Sequence, residues 1–215
     1  MGERSDRTAS MATATLHPRC VVGWRLQGCY NPAMRISTKF SYEDLQLIPA
    51  DRNRYEIVEG DLLVAPAPDV LHQTIVLNIG ADLRQHVRKH RLGRVFVAPC
   101  DIVFTSSTVL EPDVMFVSNA RLHIIGKKNL SGPPDLVVEV LSDSTAQVDR
   151  EVKSKQYARY GVPELWLFNP KGETIEVFRL RKGEYELVER LGFGDTLTSP
   201  LFPGLRLAVS SLWEN

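Results

Sequence analysis

Glu139 is the only charged residue in the run Leu136-Val137-Val138-Glu139-Val140-Leu141, which is otherwise apolar on both faces. An ionised carboxylate buried among such neighbours is costly unless something compensates it: a basic side chain, a proton or a metal ion. Asp113, in Glu111-Pro112-Asp113-Val114, opens another apolar run, where its side chain can point off a strand edge. Two carboxylates a few ångströms apart repel unless one takes a proton or a divalent cation lies between them. Hard oxygen ligands with room for water suit Mg²⁺ or Mn²⁺. The plainer alternative leaves Asp113 capping a turn and Glu139 in a structural ion pair with a lysine.

Asp149, Lys153 and Tyr157 recur at i, i+4 and i+8, which places carboxylate, ammonium and phenol on one helical face. That trio matters only if the face is turned toward the acids; otherwise an i, i+4 pair of this kind stabilises a surface by a few tenths of a kcal/mol. Lys155 lies about 160° away around the same helix. His72 opens a helical pattern, where a neutral imidazole can donate to phosphate or ligate metal, and where a histidine can equally be a cap or a packed polar residue. Arg84, Arg88, Arg91 and Arg94, with His86, Lys89 and His90 interleaved, form the one dense basic cluster. It suits a phosphate backbone, and it equally suits an ordinary charged helix face.

The elements that must position these residues alternate between helical and strand periods. Ser41 with Asp44 predicts a capped short helix ended by Pro49. Tyr55–Val58 and Leu62–Val64 flank Glu59-Gly60-Asp61 and predict a hairpin, stopped by Pro66 and Pro68. Leu71, Ile75, Ile79, Leu83 and Val87 recur every four residues, the apolar stripe of a helix from Asp69 to about Gly93. Strands are expected at Val95–Val97 and Ile102–Phe104, interrupted around Pro99, at Val114–Val117 and at Leu136–Leu141. A second helix is expected from Thr145 to Tyr160, capped by Gly161, and further strands at Leu165–Phe168, Thr174–Phe178 and Tyr185–Val188. The class is therefore α/β in mixed order, with no internal repeat.

Lysine and arginine total 26 and aspartate and glutamate total 26, so net charge gives no argument for a polyanionic partner, and contact must come from a local patch. Cys20, Cys29 and Cys100 form neither a disulfide framework nor a zinc-ligand spacing. No apolar run approaches the length of a membrane span. A cytoplasmic protein is expected, with no membrane partner. Residues 1–35 show no sustained period and are expected to form a flexible N-terminal extension to one domain over 36–215, with Met34 as a second in-frame start.

Several of these motifs, taken in order, carry a resemblance. Tyr55-Glu56-Ile57-Val58-Glu59-Gly60-Asp61-Leu62, His72 after a proline-containing loop, Glu111-Pro112-Asp113-Val114, Pro134-Asp135-Leu136-Val137-Val138-Glu139-Val140-Leu141-Ser142, Asp149 to Lys153 to Tyr157, and Gly161-Val162-Pro163-Glu164-Leu165-Trp166 are similar to the Uma-type family of putative restriction endonucleases. The similarity runs roughly from Phe40 to Trp213. That family lies in the PD-(D/E)XK nuclease superfamily, whose fold is a central mixed sheet flanked by helices, with two acids on neighbouring strands.

The resemblance implies a metal-dependent endonuclease that hydrolyses phosphodiester bonds, with DNA as the expected substrate. Asp113 and Glu139, with the main-chain carbonyl of Val140, would hold Mg²⁺ or Mn²⁺, which would polarise the scissile phosphate. The superfamily's lysine two positions after the second acid is replaced by Leu141, and Lys153 is the substitute that the resemblance implies. Asp149 would hold Lys153, while Glu59, His72 and Tyr157 match supporting positions near the acids. Cutting two strands implies a homodimer. The displaced lysine also admits a degenerate nuclease fold that binds nucleic acid or protein without cleavage, and an interaction protein built on an ion-pair core remains a third reading.

Overall fold

The computed structural model describes residues 39–49 and 51–214. The chain divides into two units, Met1–Ile36 and Ser37–Asn215; the first, and with it the extension expected over residues 1–35, lies outside the described residues. A short helix α1 (Tyr42–Leu45) carries the anticipated cap, Ser41 and Asp44 bonding reciprocally to each other's main chain, and ends earlier than Pro49. The strands β1 (Arg54–Val58) and β2 (Asp61–Ala65) pair antiparallel around Glu59 and Gly60. Both turn residues have positive φ, 50° and 86°. This is the backbone sense that lets a two-residue turn follow the right-handed twist of its strands.

Pro66 and Pro68 separate β2 from α2 (Val70–His90), whose N-cap Asp69 accepts the His72 main-chain N–H. The helix ends at Arg91, which takes the left-handed cap conformation two residues before the glycine expected to mark the end. Then come β3 (Gly93–Val97), β4 (Asp101–Thr105), β5 (Thr108–Leu110), β6 (Val114–Ser118), β7 (Asn129–Leu130) and β8 (Leu136–Val140). A continuous helical stretch follows: α3 (Ala146–Val148), a π-helical segment at Asp149–Lys153, and α4 (Ser154–Arg159). The strands β9 (Glu164–Asn169), β10 (Thr174–Arg181) and β11 (Glu184–Leu191) come next.

A six-stranded mixed sheet, in the order β11-β10-β9-β8-β6-β3, forms the centre. Its one parallel pair, β8 with β9, is joined by the α3–α4 stretch, as a parallel connection requires a crossover. A second sheet has the order β2-β1-β5-β4-β7. Alternation along β8 decides which side each residue serves. Leu136, Val138 and Val140 pack with Ile75, Ile79, Leu83 and Val87 of α2, and Val137 and Leu141 pack with Tyr157, Leu165 and Leu167 and with Ile102 and Leu110 of the second sheet. The expected central mixed sheet flanked by helices is therefore what the chain forms.

The main departure in strand layout is that β3 and β4, anticipated as one interrupted strand, belong to different sheets. Pro99 between them offers no N–H to a ladder, so the chain leaves one sheet there and enters the other. β5, three residues long, and the 3₁₀ turn Asn119–Ile124 are too short to carry a readable period.

Candidate active site

Val114 of β6 lies opposite Val138 of β8 in antiparallel register, so one step further along brings Asp113 beside Glu139. The two acids leave neighbouring strands at the same end of the central sheet and line one cavity of about 470 Å³. Both are almost wholly withdrawn from solvent, at 1% and 2% exposure. Each is compensated differently.

Asp113 is held by three donors. Its Oδ1 accepts from Arg54 Nη2 at 2.9 Å and faces His72 Nε2 at 3.1 Å, and its Oδ2 accepts the Val140 main-chain N–H at 2.7 Å. Burial pushes its pKa up. The His72 hydrogen bond, the Arg54 charge and the Val140 N–H outweigh that and hold it at about 2. An ionised Asp113 can only accept, so the hydrogen of the contact belongs to His72 Nε2. The other ring nitrogen, Nδ1, is buried with no hydrogen-bond partner. A ligand or water in the cavity is what would satisfy it.

Glu139 has the opposite balance. Its Oε1 accepts from Lys153 Nζ at 3.0 Å and from the Tyr157 hydroxyl at 2.5 Å. Burial raises its pKa; Lys153 opposes the rise, and the carboxylates of Asp149, Asp113 and Glu56 add to it. The Lys153 ammonium, 3% exposed, meets Glu139 at 3.0 Å, Glu56 at 3.0 Å and Asp149 at 2.9 Å. The Asp149 contact is an ion pair by distance but lacks hydrogen-bond alignment, since Asp149 Oδ1 has no hydrogen-bond donor. Burial opposes the charge of Lys153, yet the three carboxylates raise its pKa, so it is a fixed cation.

The helix that carries Asp149, Lys153 and Tyr157 therefore does turn that face to the acids. It does so through a π-helical turn over Asp149–Lys153, closed by the Ser154 N–H on the Asp149 carbonyl. Such turns are rare and are found mostly at functional positions. Leu141, at the position of the superfamily lysine, instead packs in the core beneath the helix.

Three further charged residues complete the cluster and were not singled out from sequence. Arg54 Nε pairs with Glu111 at 3.0 Å, and Glu56 Oε1 accepts the Glu111 N–H at 2.8 Å. Arg54 and Glu56, two apart on β1, share the strand face of buried Val58. In sequence that alternation reads as the wet face of a hairpin. The available signal was the apolar third member of the stripe.

One expectation about position is corrected. Glu59 does not lie beside the acids: it sits in the exposed β1–β2 turn, paired with Arg159. A strand's alternation puts Glu56, not the turn residue, toward the cavity. Arg84, Arg88, Arg91 and Arg94 are all exposed and outside the cavity lining. His72 borders the cavity near the N-terminus of α2, and Arg84 lies twelve residues further on, about 18 Å along the axis. Val140 borders the cavity, with its N–H given to Asp113.

Five carboxylates (Glu56, Glu111, Asp113, Glu139 and Asp149) thus surround two fixed cations, Arg54 and Lys153. The surplus negative charge is resolved either by protons or by a divalent cation. Glu111 shows the strain: burial, with Asp101 and Glu56 adding to it and Arg54 opposing, pushes its carboxyl up to about 7. Among the described residues no three His, Cys, Asp or Glu side chains converge as a ready-made metal cage. Mg²⁺ does not require one, since it keeps several waters and binds through one or two carboxylates. The donor set fits that ion.

Similarity to known proteins identifies the fold and the family. No curated protein matches the chain. Among solved structures, one described as a putative nuclease belonging to DUF820 from Anabaena variabilis ATCC 29413 superposes with a TM-score of 0.67 at 20% identity, covering 81% of this chain and 97% of that one. At that identity the likeness establishes a shared fold. Residues 41–210, beginning at the α1 cap and so including every member of the acid cluster, match the Uma2 family, described as "Putative restriction endonuclease". The chain belongs to the Uma2 family of restriction-endonuclease-like proteins.

Proposed function

We propose that this protein is a Mg²⁺-dependent endonuclease that hydrolyses phosphodiester bonds in DNA, with Mn²⁺ as an alternative ion. The observation that carries the reading is the juxtaposition of Asp113 and Glu139 on adjacent strands at one cavity, with Lys153 Nζ 3.0 Å from Glu139. Asp113, Glu139 and the carbonyl of Val140 would hold the metal, which when bound supplies positive charge to polarise the scissile phosphate and stabilise the leaving oxygen.

The protein's own groups perform the rest. Lys153 fixes the Glu139 carboxylate and would supply the positive charge that Leu141 cannot; Asp149 anchors that ammonium, and the Tyr157 hydroxyl restrains the same Glu139 oxygen. His72 orients Asp113 through Nε2 and keeps the Nδ1 lone pair for a hydrogen from a bound water. Preorganised charge of this kind is the largest contribution that a site makes to phosphoryl chemistry. A homodimer would supply two such sites for two strands.

The test is cleavage of supercoiled plasmid and of single-stranded DNA in Mg²⁺, Mn²⁺ or EDTA, by the wild type, Asp113→Asn and Glu139→Gln, with the oligomeric state measured by sedimentation. Metal-dependent nicking lost in both variants is expected. The full occupation of Asp113 by Arg54, His72 and Val140 favours a second reading, a nuclease fold that binds nucleic acid without cutting it. DNA binding by the wild type with no cleavage in either metal would select it.

A further inference from the structure

A second cavity, of about 680 Å³, lies between α4 and the β9–β11 strands. It is not a separate feature of the surface, because Arg150 lines both it and the acid cavity. One helical stretch builds both. Its stripe Asp149, Lys153 and Tyr157 is buried against the acids, and the neighbouring residues Arg150, Ser154 and Ala158, with Lys155 and Arg159, border the second cavity.

The floor of that cavity is apolar and aromatic. Leu165 and Leu167 are buried beneath it. The Phe178 and Tyr185 rings sit 6.3 Å apart at 60°. The Tyr185 hydroxyl donates to the Val162 carbonyl at 2.9 Å, which fixes the ring in place.

The rim is positive. Arg150, Lys155 and Arg159 face a single acid, Glu184, among the lining residues, and Arg159 is also paired with Glu59 from outside the lining. Arg150 shares the carboxylate of Glu176 with Arg190, so two guanidinium groups divide one negative charge at the boundary between the cavities. Lys155 has no ion pair among the described residues. The cavity on the Arg54 side of the acid cluster sets three acids, Asp51, Asp101 and Glu111, against two arginines, Arg52 and Arg54, and so favours a polyanion less than the α4 side does.

We infer that the second cavity receives an unstacked nucleobase of a single-stranded segment running from the acid cluster, stacked on Tyr185 and Phe178, with Arg150, Lys155 and Arg159 against the flanking phosphates. Aromatic floors with a cationic rim bind single strands in this way, the ring supplying sequence-tolerant stacking and the rim following the backbone. The assignment rests on the nuclease reading for the identity of the polymer, but not on cleavage. It makes the substrate path one-sided: toward α4 and away from Arg54.

The measurement uses the full chain and a fluorescein-labelled thymidine oligonucleotide, titrated by anisotropy in EDTA and again in Ca²⁺. Tyr185→Leu, which keeps apolar volume and removes the stacking ring, is expected to weaken binding about tenfold, whereas Tyr185→Phe binds as the wild type does. Lys155→Ala, at an exposed position, is expected to lower the slope of log affinity against log salt by about 1. A 5-iodouracil oligonucleotide is expected to photocrosslink at Tyr185 or Phe178, and this readout stands even where Tyr185→Leu fails to fold. Wild-type affinity and salt slope in Lys155→Ala, together with crosslinks confined to other segments, would overturn the assignment and leave the cavity to an apolar small molecule. Binding of this pattern with no metal-dependent cutting would retain the cavity assignment and remove the cleavage reading alone.

Discussion

Lys153 Nζ lies 3.0 Å from Glu139 Oε1, fourteen residues earlier in the chain, and both groups are buried. The contact joins a helix to a strand of the central sheet and makes one ammonium the shared counter-ion of Glu139, Glu56 and Asp149. The nuclease reading and the stability of the fold both pass through it.

Removing that ammonium leaves three buried carboxylates without their cation. Lys153→Met is expected to destabilise the fold by about 3–5 kcal/mol, read as a lower urea midpoint with an unchanged slope. Mg²⁺ should recover part of the loss if a divalent cation can enter the same field. A midpoint equal to the wild type's would mean that solvent reaches the cluster and screens its carboxylates.

Glu139→Gln and Asp113→Asn keep size and remove charge. Each is expected to reduce metal-dependent nicking by at least about 10²-fold, the loss of several kcal/mol of charge stabilisation. Circular dichroism should show both folded. Nicking retained in either variant would move the metal away from that residue.

Stability should depend on pH in a direction set by the raised carboxyls. Glu111 has a folded pKa of about 7, above its ordinary value of 4.5, so its contribution is full below pH 4.5 and is lost as pH rises through about 7. Asp113, depressed to about 2, contributes above its ordinary range and loses that contribution only as pH falls toward 2. Without metal, Tm is therefore expected to fall between pH 5 and 8. The stabilisation by Mg²⁺ should grow over the same interval, because protons stop competing for the carboxylates. A metal effect that is independent of pH, seen in thermal melts at several buffers, would contradict this.

Tyr157→Phe deletes a hydroxyl that donates to Glu139 at 2.5 Å in a fully buried setting. The expected cost is about 1–3 kcal/mol. Because the lost bond favoured the charged carboxylate, apparent Mg²⁺ affinity should fall as well, measured by calorimetric titration.

The basic end of α2 offers the contrasting case. Arg84, Arg88, Arg91 and Arg94 are exposed and lie outside the cavity lining, beginning about 18 Å along the axis from His72. Alanine at all four positions should leave cleavage of a short oligonucleotide unchanged while reducing the salt dependence of binding to long DNA. A collapse of oligonucleotide cleavage would bring that face into the substrate path.

The sequence by itself determined the longer elements and marked Glu139 as an acid that something must compensate. A lone glutamate in an apolar β-run must be compensated, and the four-residue and two-residue periods separate helix from strand without reference to anything distant in the chain. Glu139 was legible for that reason, and Asp149, Lys153 and Tyr157 as one helical face, whereas setting that face, Asp113 and His72 beside Glu139 needed the resemblance to the Uma-type family. Only the tertiary structure decided who compensates whom. Arg54 and Glu56 entered the cluster because the β1–β2 hairpin folds its charged stripe inward over the end of the central sheet, and Glu111, between β5 and β6, joined it by pairing with Arg54, whereas Glu59, in the hairpin turn, was left outside. Charge alternation on a strand looks the same facing water as facing buried carboxylates. The difference lies in the packing of one sheet against another, and that is a long-range property no local period records.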